Sequence, residues 1–120
     1  MSMRNPKAEH VDFGFMENII PSNPDWLGSN IDMICERKGK FLIAEWKRAD
    51  EKLPNGQKYL LQALSQQNDF IVLIINGHSK PGNVQVDTVY KVNNNTLKKV
   101  ATGLNGLKGL IRTWYDYASR

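Results

Sequence analysis

The stretch Asn30–Lys47 constrains the fold more than any other part of the chain, because it reads as two apolar strands joined by Lys38-Gly39. A two-residue connection ending in Gly is a strong hairpin signal, since Gly supplies positive φ without steric cost. With the turn placed there, the register follows by counting. Arg37 opposes Lys40, Cys35 opposes Leu42, Ile34 opposes Ile43, and the same count brings Asp32 opposite Glu45. Opposed residues share a face of the sheet with Cβ atoms roughly 4.5–5.5 Å apart, where like charges are destabilising. A divalent cation is the simplest group that offsets such a repulsion.

Strand periodicity adds a third group, because Glu45 and Lys47 are two residues apart and project from the same face. Two carboxylates and an ammonium then converge at one end of a hairpin. That set suits hydrolysis of a phosphodiester. Hard carboxylate oxygens hold Mg²⁺ or Mn²⁺, the cation polarises a phosphoryl oxygen and lowers the pKa of a bound water, and the lysine orients that water or stabilises the developing charge. The backbone carbonyl of Trp46, between the two side chains, is a candidate further ligand. The competing reading of Glu45-Trp46-Lys47 is an exposed ion pair of little consequence. Asp32, on a hairpin whose other positions are largely apolar, favours the site.

A chain of 120 residues fits one domain, residues 1–120, with room for a core but not for separate catalytic and binding domains. Sixteen Lys and Arg against twelve Asp and Glu give +4, an excess that permits a polyanionic partner. The single Cys35 has no disulfide partner and reads as a small core residue of a reducing compartment. No apolar run approaches the ~20 residues of a membrane span, and Met1–Lys7 lacks the apolar stretch of a signal peptide. The expectation is therefore a cytoplasmic protein, in the host cytoplasm if phage-encoded, with no membrane partner. No Cys/His cluster suggests zinc, and no spacing suggests a nucleophile with its base.

Along the chain, the apolar positions Val11, Phe15, Met16, Ile19 and Ile20 predict a first helix over Ala8–Ile20, with Gly14 against it, ended by Pro21–Asp25. After the hairpin comes a charged loop, Arg48–Asn55. Leu60, Leu61 and Leu64 then share a face of a helix over Gln57–Gln66. Phe70–Ile75 is a continuous β-rich run, the mark of a strand covered on both faces, and a helix before it predicts parallel pairing with the second hairpin strand. Asn76–Gly82 reads as a loop. Val84, Val86 and Tyr90 give an edge-like strand, Asn93–Asn95 a turn, and Leu97–Val100 a short segment. Leu107, Leu110, Ile111 and Trp114 form the stripe of a C-terminal helix. The order describes an α/β fold of the α+β kind, a mixed sheet flanked by helices.

Asp32, followed by Glu45-Trp46-Lys47, on a hairpin backed by a helix and a parallel strand, resembles the PD-(D/E)XK nuclease superfamily. The resemblance implies an αβββαβ restriction-endonuclease-like core, here with a C-terminal helix, and an Mg²⁺-dependent (or Mn²⁺-dependent) endodeoxyribonuclease. Within it, the size, the spacing and an acid in the first helix look like small Holliday-junction resolvases of archaea and phages, with Glu9 near the position of their helix-one glutamate. Leu53–Gln57 looks instead like the VRR-NUC branch, in which a glutamine opens the helix behind the active site. A literal Pro-Asp occurs at Pro24-Asp25, but register favours Asp32 as the ligand. Glu17 competes with Glu9, but on a helical wheel Glu9 lies with Phe13, Met16 and Ile20 while Glu17 lies just off the apolar face, which favours Glu9; the alternative for either is a solvated helix residue.

Gln57 is a candidate catalytic residue whose amide holds a water or a metal-bound carboxylate, or else a helix-start residue satisfying free backbone N–H groups. His78 reads as solvent-exposed. Arg48, Lys52 and Lys58 follow the site and are candidate phosphate contacts that add salt-dependent affinity without reading sequence. Trp26 is a stacking, dimer-contact or core residue. The expected catalytic set is Asp32, Glu45, Lys47, Glu9 and Gln57, with Asp32, Glu45 and Trp46 at the metal. The expected function is structure-specific cleavage of branched DNA by a homodimer. The alternatives are a nicking or restriction-type nuclease on duplex DNA, and a catalytically idle nuclease fold that binds nucleic acid or protein.

Overall fold

The hairpin forms where turn chemistry puts it. Strand β1 (Met33–Arg37) and strand β2 (Lys40–Lys47) pair antiparallel, with Arg37 opposite Lys40, Cys35 opposite Leu42 and Ile34 opposite Ile43. Lys38 and Gly39 both have positive φ, 51° and 80°, as the twist-matched two-residue turn requires. Glu36 fastens the turn by accepting the Gly39 N–H at 2.8 Å. The computed structural model describes residues 12–48 and 51–120. They divide into a segment ending at Asn30 and a unit spanning Ile31–Arg120.

In the larger unit, helix α1 (Asn55–Ser65) follows β2, then strands β3 (Phe70–Lys80), β4 (Asn83–Asn93) and β5 (Thr96–Thr102), then helix α2 (Gly103–Ala118). The strands form one mixed sheet in the order β1-β2-β3-β4-β5, in which only β2 and β3 run parallel. The mixed α+β architecture with a C-terminal helix is the one the sequence predicts, and β3 lies parallel to β2 as expected. Among the described residues two strands precede the crossover helix and three follow it. No helix of the described residues is long and apolar enough to cross a membrane.

Alternation along the strands sends side chains to two cores. Leu42, Ala44, Leu73, Ile75 and Val89 face Leu107, Trp114 and Ala118 of α2. Ile43, Val72, Ile74 and Val92 face Leu61 of α1. Burying a Leu or Ile side chain stabilises by about 1.5–3 kcal/mol, which is why strand β3, apolar on both faces, runs through the centre. The helix ends are tied to the sheet. Ser65 at the end of α1 accepts the Asn94 N–H of the β4–β5 turn at 2.9 Å. Ser119, after α2, accepts from Arg37 Nε at 3.0 Å and Lys38 Nζ at 2.9 Å, and Arg37 stacks 4.7 Å from the Tyr115 ring centre.

The structure corrects the expectations in two regions. Asn76–Lys80 is not a loop but the second half of β3, paired with Asn83–Thr88 across a register shift at Asn76/Gly77. Its turn-forming residues are overridden by pairing, and Gly77 is there because a Cβ would run into the Gln85 carbonyl and the Trp46 ring. With β5 paired beyond it, β4 is internal and not an edge strand. Secondly, residues 12–20 do not form the predicted helix. In the segment ending at Asn30 only Phe13–Met16 makes a turn of 3₁₀ helix, with Asp12 accepting the Gly14 N–H at 2.8 Å. Asn18 has φ 63°, and Phe13, Phe15, Ile19 and Ile20 are exposed. A short helix gains most of its stability from packing an apolar face, and none of these side chains is buried. Residues 8–11 lie outside the described residues.

Candidate active site

Continuing the hairpin register one step beyond Met33 opposite Ala44 places Asp32 opposite Glu45. Asp32 sits just before β1, where its side chain takes over the ladder: its Oδ2 accepts the Trp46 N–H at 2.7 Å. Backbone N–H and C=O groups of one strand residue project toward the same neighbour in an antiparallel ladder. The Trp46 carbonyl therefore also points to the side on which Asp32 lies. The two predicted carboxylates and the predicted backbone ligand come together.

Glu45 is 4% exposed, the one buried charged side chain among the described residues. It lies between Ile43 and Lys47 on the α1 face and is paired across to Ile74 of β3. Burial raises its pKa above the ordinary 4.5, and the Asp32 charge and a hydrogen bond with Asp32 raise it further. A hydrogen bond from Gln57 and the charge of Lys47 act in the opposite sense. Gln57, in the first turn of α1, thus reaches the carboxylate from above, the functional alternative of its two readings. Glu45 Oε2 has no hydrogen-bond partner among the described residues. An unpaired buried carboxylate oxygen costs more than an unpaired neutral group, which itself costs about 1–3 kcal/mol. A proton shared with Asp32 relieves that cost, and so does a cation.

Does this donor set fit Mg²⁺ or Mn²⁺? Among the described residues no group of three or more His, Cys, Asp or Glu side chains converges. Mg²⁺ is commonly held by one or two carboxylates, with water and substrate phosphate completing its octahedron. Asp32, Glu45 and the Trp46 carbonyl match that demand, and the orphaned Oε2 is the observation in favour.

Lys47 is partly buried and lines a groove of about 430 Å³ on the α1 face, together with Lys52 and Lys58. Two of the three predicted phosphate contacts are therefore beside the site. The third, Arg48, does not line the groove; it is exposed and pairs with Glu51, which does, Nε to Oε1 3.9 Å. Glu9 lies outside the described residues. Its competitor Glu17 is exposed at the end of the 3₁₀ turn, and Asp25 is exposed in the same segment. His78 is exposed as expected, on β3, with Nε2 3.6 Å from Asp87. Trp26 is exposed. Cys35 is half-buried against the α2-side core.

Sequence reading missed Asn76 and Tyr90, which also line the groove. Asn76 is paired directly with Lys47. Extending β3 past Ile75 gives that pairing, and the loop reading of Asn76–Gly82 hid it. No family model, curated protein or solved structure matches this chain.

Proposed function

We propose that the chain is a divalent-cation-dependent endonuclease that hydrolyses DNA phosphodiester bonds, a member of the PD-(D/E)XK type it resembles, acting inside the cell on branched DNA. The observation that carries this reading is Glu45: a buried carboxylate pressed against Asp32, with one oxygen unpaired and Lys47 on the same face. Asp32 and Glu45 would hold Mg²⁺ or Mn²⁺ with the Trp46 carbonyl. When bound there, the cation supplies charge for the phosphoryl oxygen and acidity for a water. Asp32 is oriented by the Trp46 N–H, and its position is therefore set by the strand rather than by a free rotamer. Gln57 holds the Glu45 carboxylate from the helix side. Lys47 presents an ammonium to the same space, where it orients the attacking water or stabilises the charge that develops on the phosphoryl group.

The test is incubation of the purified protein with labelled four-way junction, flap and linear duplex DNA in Mg²⁺, Mn²⁺ or EDTA, alongside Asp32→Ala and Lys47→Ala. Cation-dependent cleavage that falls by about 10²–10³-fold in each variant supports the reading. Cleavage that persists in EDTA or in both variants overturns it, and DNA binding without cleavage points to an idle nuclease fold.

A further inference from the structure

The groove that begins at Lys47 runs between α1 and the part of the sheet that α1 leaves uncovered. Helix α1 packs on β3 and β4, and α2 packs on the opposite face of β4 and β5. One wall carries Lys58 and Gln62 of α1, and the floor is Ile74, Tyr90 and Val92. The far end is the β4–β5 turn, held against α1 by the Asn94–Ser65 bond, with Asn94 and Asn95 at its lip. Pairing continues the floor across the sheet. Glu45 is opposite Ile74, Ile74 opposite Tyr90, and Tyr90 opposite Lys99. Tyr90 therefore lies two strand spacings, roughly 10 Å, from the candidate metal ligand on the same face.

We infer that this groove holds an unpaired polynucleotide strand next to the scissile phosphate, so that the substrate of the proposed nuclease is DNA or RNA with a single-stranded arm. The inference rests on the nuclease reading for its direction. Its chemistry rests on the groove alone. Among the groove-lining residues three lysines, Lys47, Lys52 and Lys58, stand with one carboxylate, Glu51, which is engaged by Arg48, while Glu45 and Asp32 lie beyond Lys47 at the candidate metal site. That charge balance suits a polyanion. A duplex offers such a surface its phosphates and keeps its base faces stacked inside, which leaves an apolar floor unused. An unpaired strand offers both, phosphates for the lysines and base faces for the half-buried Tyr90 ring and the exposed Leu97 that lines the same groove. Asn76, Asn94, Asn95 and Gln62 also line the groove, and side-chain amides are groups that hydrogen-bond the edges of unpaired bases. Lys99 and Leu97 extend the same face beyond Tyr90 and Val92.

Fluorescence anisotropy in EDTA with labelled oligo-dT, oligo-rU and a matching DNA duplex tests this without any cleavage. The expected result is tighter binding of a single strand than of the duplex, and the preferred sugar identifies the source. Tyr90→Leu should weaken strand binding by about fivefold or more while leaving duplex binding unchanged. Lys58→Ala, at an exposed helix position, should lower the salt slope by about 0.7. Lys98→Ala, on the opposite face of β5 beside Lys91, should not. Duplex binding as tight as strand binding, or strand binding untouched by Lys58→Ala, would overturn the inference. Strand binding without cleavage in Mg²⁺ counts against the nuclease reading alone. Cleavage without strand binding counts against the groove alone.

Discussion

The two faces of the sheet are drawn from alternate residues of the same strands, yet they are built for different ends. On β2 the α2 side receives Leu42, Ala44 and Trp46, and the α1 side receives Ile43, Glu45 and Lys47. The α2 side is apolar at its centre, with Lys40 and Lys91 toward its margins, and lies under a helix of 16 residues, whose Leu107, Trp114 and Ala118 are buried. The α1 side lies under a helix of 11 residues, of which only Leu61 is buried. It ends in a buried carboxylate at one side and an open groove at the other. The difference indicates a division of labour. Charge repulsion between Asp32 and Glu45 is tolerable because the larger apolar core behind the same strands carries the stability that the α1 face forgoes.

The largest expected effect is on the α2 face. Trp114→Ala removes the largest side chain of that core and should destabilise the protein by about 3–5 kcal/mol in urea unfolding. Trp114→Phe should cost far less, because the Trp114 Nε1 group has no hydrogen-bond partner among the described residues and its loss leaves nothing unpaired. Equal losses in the two variants would break the picture of an apolar face held by packing alone.

Gly77 joins the faces and gives the next effect. It sits at the register shift of β3, where a Cβ would press on the Gln85 carbonyl and on the Trp46 ring. Overpacking of this kind costs about 1–3 kcal/mol. Since the Trp46 N–H orients Asp32, Gly77→Ala should weaken cation binding, read by calorimetric titration with Mn²⁺, as well as lower the unfolding midpoint. A loss of stability with unchanged Mn²⁺ affinity would mean that the two faces are not coupled through Trp46.

What the sequence reveals of this arrangement depends on how local the information is. The Lys38-Gly39 turn fixes the register of the hairpin, and register fixes faces, so Asp32, Glu45 and Lys47 are legible together from one stretch of chain. Phe70–Ile75 is legible because a strand buried on both faces is apolar at every position. Tertiary contact hides the rest. Asn76–Lys80 has turn-forming composition, and only its pairing with β4 and the close approach at Gly77 make it a strand. Ala8–Ile20 has a helical pattern of apolar residues, but over 12–20 none of those residues is buried, so pattern without packing misleads. The groove is drawn from β2, α1, β3, β4 and β5, from the loop before α1 and from the β4–β5 turn. No contiguous motif could announce it.

The smallest effect is the sharpest probe of the open face. The Glu45 pKa is raised chiefly by burial and then by Asp32, so between the ordinary carboxylate range and that raised value the folded protein holds a proton the unfolded chain has released. Stability contributed in this way is fully present below the ordinary carboxylate pKa and is lost as pH rises through the raised one. At neutral pH Glu45 is then a liability, and Glu45→Gln should raise the thermal midpoint there by less than Gly77→Ala lowers it. The gap between variant and wild type should close as the pH falls through the acidic range. Mg²⁺ or Mn²⁺ supplies the same relief without a proton: at neutral pH either ion should raise the wild-type midpoint and leave Glu45→Gln unmoved. If Glu45→Gln is instead the less stable protein at neutral pH, the carboxylate is satisfied as it stands. The case for a cation between Asp32 and Glu45 then loses its physical ground.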